Sequence, residues 1–175
     1  MKIVYLSNVM FSKGIVHLIE AFKLLPGENI LNIYGDVMSD EFKTKTEMNT
    51  IIQKYSNVKG LSYHGVASRD QIADILKAHE IFVLPTFYSS EAAPLSVLEA
   101  MKYNCCVILT EHKMLRQVYG EFDITWIKKR SIKDLLNALK SIECSEKGKH
   151  LNYTKIHSHY SIEGFTRNMK SILFN

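Results

Sequence analysis

Short apolar runs alternate with amphipathic stretches along the chain, and this alternation constrains the fold more than any single motif does. The runs have the length of strands, and 81–84 is apolar throughout, as expected at the centre of a parallel sheet. Strands that alternate with helices form parallel sheets with right-handed crossovers. We therefore predict an α/β fold, a Rossmann-like doubly wound parallel sheet of about six strands with helices on both faces. The predicted strands are 2–7, 29–34, 60–64, 81–84, 105–109 and 123–127.

Apolar residues at helical spacing mark the segments between the strands. Ser68 and Gln71 have the spacing of a capping box, and Asn104 tolerates the left-handed conformation that ends a helix. After the second strand we expect a helix that begins at Ser39 and turns Phe42 inward. The predicted helices are 14–25, 39–55, a segment opening at Ser68, 94–103, 135–142 and 162–174.

Composition indicates one ordinary globular domain, and we assign it to residues 1–175. The net charge of +4 is too mild to indicate nucleic-acid binding. Neither a signal peptide nor an apolar run of about 20 residues is present, so we expect a cytoplasmic protein. Basic residues gather between Lys128 and Lys149, which favours solvated helix faces. A weaker interpretation is peripheral association with the anionic inner face of a membrane.

The three cysteines do not have the number or spacing of a disulfide framework. Cys105 and Cys106 are adjacent in an apolar run, so we expect both to be reduced and buried, as in a reducing cytosol. The histidines are scattered, and no metal-ligand spacing is present. The cysteine and histidine patterns therefore indicate no metal site.

Glu91 and Glu99 lie eight positions apart, with a predicted helix start between them. Pro94 suits the first helical turn, and Ala93 before it is a poor cap. The N–H groups of Leu95, Ser96 and Val97 are then free to bind a phosphate. Two carboxylates beside an anion site suit a ligand with a phosphate centre and hydroxyl-bearing ends. Taken alone, the spacing is more often a chance pair of glutamates than a functional one, and the position of Glu91 after a predicted strand is what favours a site.

Two further loops follow predicted strands, where ligands bind in open α/β sheets. In the first, Lys13 precedes a helix and Gly14 lets the backbone pass close to a ligand, although a surface lysine beside an ordinary turn is an equal alternative. In the second, the backbone at Gly65 and Val66 could hold a flat base, although a glycine that simply ends a strand is the more common case. The chain contains neither a Walker A loop nor a Gly-x-Gly-x-x-Gly motif.

Taken together, these segments resemble a known family. The segments 12–14 and 18–22 are similar to the Lys-Gly-x(3)-Leu-x-x-Ala-Phe start of the C-terminal domain of GT-B fold glycosyltransferases. The segments 81–86 and 91–101 match the Glu-x(7)-Glu block of that family. The resemblance covers essentially the whole chain and is greatest to glycosyltransferase family 4 (group 1), whose members are retaining enzymes that use nucleotide-sugar donors.

The resemblance implies a role for each matched position. Lys13 would neutralise the donor's diphosphate, Glu91 would face the donor sugar, and Glu99 would accept hydrogen bonds from the ribose hydroxyls. The donor would be a substrate, a UDP-sugar or GDP-sugar, bound without a metal or any other cofactor. The acceptor would be a saccharide or a lipid-linked molecule. Glu91 is the implied catalytic residue, and the implied donor-binding residues are Asn8, Lys13, Gly14, Gly65, Val66, Ala92, Ala93, Pro94, Leu95, Ser96 and Glu99.

Two departures from the family pattern qualify these roles. Asn8 stands where the family usually has an arginine that pairs with the lysine on the diphosphate. The chain also matches only the C-terminal half of a GT-B enzyme, so we expect the N-terminal acceptor domain to be absent and the isolated chain to be inactive. The alternative to a donor-binding domain is a non-catalytic nucleotide-binding or scaffold module with a degenerate site. An epimerase or phosphorylase of the same fold is disfavoured, because its usual active-site arrangement is missing.

Overall fold

The computed structural model describes residues 1–164 and 166 of the chain. In this part of the chain the strands form one six-stranded, entirely parallel sheet in the order β3-β2-β1-β4-β5-β6. The predicted doubly wound sheet is therefore confirmed. The strands are β1 (Lys2–Leu6), β2 (Ile30–Tyr34), β3 (Leu61–Tyr63), β4 (Ile81–Leu84), β5 (Cys106–Thr110) and β6 (Thr125–Ile127).

The helices cover both faces of the sheet, as the crossovers require. Helices α1 and α6 pack against each other, whereas α4 packs with both α3 and α7. The helices are α1 (Ile15–Lys23), α2 (Lys45–Lys54), α3 (Ile72–Lys77), α4 (Leu95–Lys102), α5 (Lys113–Tyr119), α6 (Ile132–Ser141) and α7 (Glu146–His159).

The core is centred on β1 and β4, the two middle strands. Every residue of β4 is buried, as are the last four residues of β1. The sheet order reverses here: the chain leaves β1 towards β2 and β3, then returns to place β4 on the other side of β1. At such a reversal, open α/β sheets form a crevice outside the carboxyl ends of the strands, where ligands bind.

The segment before α2 differs from the prediction. The helix begins at Lys45 rather than Ser39, with Thr44 as its cap in a capping box closed by Glu47. The expectation that Phe42 faces inward is wrong, because it lies in the preceding loop with 40% of its surface exposed. Asp40 holds this loop by accepting hydrogen bonds from the N–H groups of Phe42 and Lys43. The Thr44–Glu47 signal was present in the sequence and specifies the true helix start.

Helices α5 and α7 were not predicted. Helix α7 lacks an apolar stripe because it buries Gly148 and Asn152 as well as Ile156. The Asn152 side chain accepts a hydrogen bond from the Asp123 N–H and donates one to the Asp123 carbonyl, at 2.7 and 2.9 Å. Most of the helix predicted at 162–174 lies outside the described residues.

The cysteines differ in part from the prediction. Cys105 is free and buried, and burial raises the pKa of its thiol to about 12. Cys106 is not a buried thiol: it is joined in a disulfide to Cys144, 38 positions later, with Cα atoms 5.6 Å apart. Adjacent strand residues point to opposite faces, so Cys106 points away from its neighbour, towards the segment between α6 and α7.

Candidate functional site

Lys13 and Glu91 meet at the crevice between β1 and β4. The Lys13 Nζ lies 2.6 Å from the Glu91 Oε2, and the two side chains are only 11% and 6% exposed. Lys13 follows β1, and Glu91 lies in the loop after β4. The Tyr88 ring covers the ammonium group, with its centroid 5.2 Å from Nζ. A charge-assisted pair in this sheltered position is strong and well oriented.

Gly14 gives the first loop its shape. Its φ of 78° lies in the left-handed region, and a Cβ atom at this position would approach the Pro85 carbonyl oxygen to 2.1 Å. A backbone hydrogen bond from the Phe87 N–H to the Ser12 carbonyl, 2.7 Å long, joins the same two loops. Close packing of the two backbones therefore fixes Lys13 relative to Glu91.

The start of α4 lies beside this pair. Its N-cap is Pro94, one residue later than predicted, and no side chain caps it. Among the described residues nothing accepts a hydrogen bond from the Leu95 or Ser96 N–H, which leaves two donors available. The expectation that the Val97 N–H is also free is wrong, because it donates to the Pro94 carbonyl at 3.0 Å.

The residues around this helix start leave it open to solvent. Ala92 and Ala93 are exposed, and Leu95 is 65% exposed. The Tyr119 hydroxyl donates a hydrogen bond to the Pro94 carbonyl at 3.0 Å and so holds the start of α4 against α5. An anion can reach the two free N–H groups without any backbone movement.

Glu99 lies on α4, and its carboxylate is 20% exposed. The Arg69 Nη1 reaches it from the turn before α3, with a distance of 2.9 Å to Oε1. Sequence reasoning missed this partner, because Arg69 and Glu99 are thirty positions apart and no pattern links them.

Gly65 and Val66 follow β3 at the same edge of the sheet. Gly65 has a φ of 71°, and its carbonyl accepts a hydrogen bond from the Gly35 N–H at 2.8 Å. Val66 is 69% exposed and lines a cavity of about 440 Å³ together with Tyr34 and His64. The Tyr34 and His64 rings stack with centroids 4.6 Å apart, which gives the cavity a flat aromatic wall.

Asn8 lies at the carboxyl end of β1 and is exposed. Its carbonyl accepts a hydrogen bond from the buried Tyr5 hydroxyl at 2.7 Å. The structure thus brings Asn8, Lys13, Gly14, Gly65, Val66, Glu91, the start of α4 and Glu99 to one edge of the sheet. Their roles stay predictions, because geometry without a ligand assigns none of them.

Two residues near Lys13 and Glu91 were not selected from the sequence. His112 is buried at the N-cap of α5, and burial together with the Lys129 charge lowers its pKa, while the Glu91 charge opposes this. The Arg130 guanidinium lies over the Phe87 ring, 4.3 Å from its centroid. A signal for His112 existed, since it follows a strand at the ligand-binding edge. No sequence signal indicated Arg130, because its ring contact joins positions that are distant in the chain and meet only in the folded structure.

No group of three or more His, Cys, Asp or Glu side chains in the described part of the chain could hold a metal ion. The prediction of metal-independent binding stays a prediction. A larger cavity, about 790 Å³, lies at the opposite edge of the sheet between Lys2, Phe22 and Asn29. It contains none of the predicted site residues and plays no part in the arrangement above. Within residues 1–164 and 166, no helix is long and apolar enough to cross a membrane.

The sequence also matches a known protein family. Residues 1–156 match the model of the family described as glycosyl transferases group 1. The chain belongs to this family. The resemblance noted in the sequence, on Lys13-Gly14 and the Glu91–Glu99 block, is therefore confirmed at the level of the family and its GT-B fold.

One curated relative of this group 1 chain is a longer protein. A Bacillus subtilis (strain 168) protein named for teichuronic acid biosynthesis as glycosyltransferase TuaC is 28% identical over 140 residues, which are 80% of this chain and 32% of TuaC. The chain thus spans about a third of that relative.

Solved structures share the fold. Sucrose-phosphate synthase from Thermosynechococcus elongatus matches with a TM-score of 0.77 and 18% identity, over 98% of this chain and 44% of that one. Anabaena HepE, solved in complex with UDP-glucose, has a TM-score of 0.78 and 14% identity, over 98% and 48%. The C-terminal domain of the Francisella tularensis group 1 protein LpcC has a TM-score of 0.70 and 19% identity, over 92% and 86%. At these identities the likeness shows the fold alone.

Proposed function

We propose that this group 1 chain is the donor-binding domain of a retaining glycosyltransferase. It would bind a nucleotide diphosphate sugar of hexosyl type, a UDP-sugar or GDP-sugar, whose sugar goes to a saccharide or lipid-linked acceptor. The observation that carries the proposal is the sheltered Lys13–Glu91 pair beside the free N–H groups of Leu95 and Ser96. The UDP-glucose bound by HepE and the name of TuaC support the donor class and a role in polysaccharide assembly.

The charges of the pair suit the chemistry of glycosyl transfer. As the bond between sugar and diphosphate breaks, the sugar becomes positive and the diphosphate gains negative charge. A lysine facing the diphosphate and a carboxylate facing the sugar stabilise that separation more than they stabilise the intact donor. Lys13 and Glu91 would act in this way, with the start of α4 supplying N–H donors to the phosphates. This arrangement would require no metal.

The nucleoside would extend away from the pair along the same edge. Glu99 lies about one turn farther along α4 than the two free N–H groups, and it would accept hydrogen bonds from the ribose hydroxyls. The exposed backbone at Gly65 and Val66 and the cavity beside it would take the base. The acceptor would be held outside the described residues, so turnover by this chain alone is not expected.

Calorimetric titration with UDP and GDP tests the proposal. We expect the wild-type chain to bind one of them, and Glu99→Gln to weaken that binding by about tenfold through the loss of charge-assisted hydrogen bonds. An exposed control, Glu28→Gln, should leave the affinity unchanged, because Glu28 pairs with Lys59 at the opposite edge of the sheet. No binding of either nucleotide would instead favour the scaffold function, for which Asn8 in place of arginine is the main argument.

A further inference from the structure

The pair formed by Arg69 and Glu99 does not have the geometry of a structural ion pair. The Arg69 side chain is 76% exposed, and Nη1 lies 2.9 Å from Glu99 Oε1 without the alignment of a hydrogen bond. Strong arginine–carboxylate pairs frequently have two parallel N–H···O bonds. A single contact at this exposure contributes little to folding. The pair therefore calls for an explanation other than stability.

Both groups retain unused hydrogen-bonding capacity. Among the described residues, neither oxygen of the Glu99 carboxylate accepts a hydrogen bond, and no acid other than Glu99 pairs with Arg69. A carboxylate has room for about four hydrogen bonds and a guanidinium has five N–H donors. A ligand that carries both hydroxyls and phosphate oxygens could bind the two side chains at once.

The backbone that carries Arg69 is fixed. Ser68 before it caps the turn, and the Gln71 side chain accepts a hydrogen bond from the Ser68 N–H at 3.0 Å. Arg69 therefore extends from an anchored turn, three positions after the exposed Val66 and close to the cavity lined by His64. Its guanidinium contacts Glu99 on α4, while Gln71, two positions later in the same turn, lines that cavity.

We propose that Arg69 is a positioning residue for the nucleoside end of the donor, an inference that rests on the proposed function. Its charge orients the Glu99 carboxylate towards the ribose hydroxyls, and its unused N–H groups face the same ligand. Discrimination in favour of a ribose thus depends on the pair rather than on Glu99 alone.

The test compares the nucleotide diphosphate that the wild-type chain binds with its 2′-deoxy form, by calorimetry. Arg69→Ala should weaken binding of the ribose form by about fivefold, in the range of one partly exposed charge pair. It should weaken binding of the 2′-deoxy form by a smaller factor, because part of the Glu99 contact is already absent there. Arg69→Lys should recover most of the affinity, since it keeps the charge.

Lys77→Ala is the matched control. Lys77 is exposed on α3, close to Arg69 in the chain, and its ion pair with Asp74 is 3.9 Å long. Its removal should leave both affinities unchanged. A thermal unfolding midpoint within about one degree of wild type would exclude a folding defect in the Arg69 variants.

The possible outcomes distinguish a failure of this inference from a failure of the proposed function. If the wild-type chain binds neither UDP nor GDP, the proposed function and the role of Arg69 both fail. If Glu99→Gln weakens binding and Arg69→Ala does not, only the role of Arg69 fails. Equal weakening of the ribose and 2′-deoxy forms by Arg69→Ala would also contradict the proposed role of Arg69, because the effect would then not depend on the ribose 2′-hydroxyl.

Discussion

Lys13 and Glu91 form an ion pair 2.6 Å long although they are 78 positions apart in the chain. Each residue follows one of the two central strands, and the reversal of sheet order between β1 and β4 brings them together. The pair is sheltered by the loops themselves, so we expect its loss to affect stability as well as the proposed donor binding.

Removing one member of the pair should destabilise the fold. Lys13→Met leaves the Glu91 carboxylate buried without its partner, and we expect the free energy of unfolding to fall by about 3 kcal/mol. Urea denaturation measures this change. The double variant Lys13→Met, Glu91→Gln removes both charges and should recover much of the loss.

Lys59→Ala provides the control for this experiment. Lys59 and Glu28 are about 90% exposed, so breaking their pair should cost less than about 0.5 kcal/mol. A loss in Lys13→Met no larger than this would show that the sheltered pair contributes nothing special to folding.

Gly14→Ala should disrupt the close packing between the loop after β1 and the loop after β4. The added Cβ would lie 2.1 Å from the Pro85 carbonyl oxygen, at a φ that L-residues rarely adopt. We expect a loss of about 3 kcal/mol in unfolding free energy, the sum of strain and displaced backbone, together with loss of nucleotide binding. Circular dichroism during thermal unfolding measures the first effect.

Gly27→Ala separates strain from crowding. Gly27 has a φ of 80°, close to that of Gly14, but nothing lies within 4 Å of its added Cβ. It should cost only the conformational strain, about 1 kcal/mol. Equal losses in the two variants would contradict the argument from the close approach to Pro85.

Leu95→Pro tests whether the start of α4 binds phosphate. Proline removes one free N–H, and it suits this first helical position because Pro94 before it is already extended. Leu95 is 65% exposed, so its side chain is not needed for packing. We expect nucleotide diphosphate affinity to fall by about tenfold while the unfolding midpoint stays unchanged. Leu95→Ala keeps the N–H and should bind like wild type; equal weakening in both variants would refute the phosphate contact.

His79 should make folding sensitive to pH. Burial lowers its pKa, the hydrogen bond to the Ile75 carbonyl opposes this, and the charges of Lys2 and His64 lower it further. Its Nδ1 donates to that carbonyl at 2.6 Å, so Nε2 is left to accept from the Asn32 side chain at 2.8 Å, which requires the neutral ring.

The sign of the effect follows from the lowered pKa. Between the folded value and the ordinary value near 6.5, the unfolded chain binds more protons, so the unfolding free energy falls as pH drops through this window. Thermal midpoints at pH 7.5 and below should show the decline. His79→Gln should make the decline of the thermal midpoint with falling pH shallower. The control His150→Gln, at an exposed position, should leave the decline unchanged. An unchanged slope in His79→Gln would assign the pH dependence to other groups.

The sheet was readable from the sequence because its strands carry their own signal. A strand buried on both faces, such as β4, must be apolar throughout. Glycines and helix-capping residues indicate the ends of strands and helices from the neighbouring sequence alone. Helix α7 was missed for the converse reason. It packs through Gly148 and through the side chain of Asn152, which forms hydrogen bonds with the backbone of Asp123. Such contacts produce no periodic pattern of apolar residues in the sequence.

The sequence by itself determined the fold class, the family and the residues at the carboxyl edge of the sheet, because each depends on local patterns. Only the tertiary structure decided which of these residues interact. It paired Lys13 with Glu91 and Arg69 with Glu99, and it joined Cys106 to Cys144. Contacts between distant positions depend on the register and order of the strands, which leave no trace in the spacing of residues along the chain.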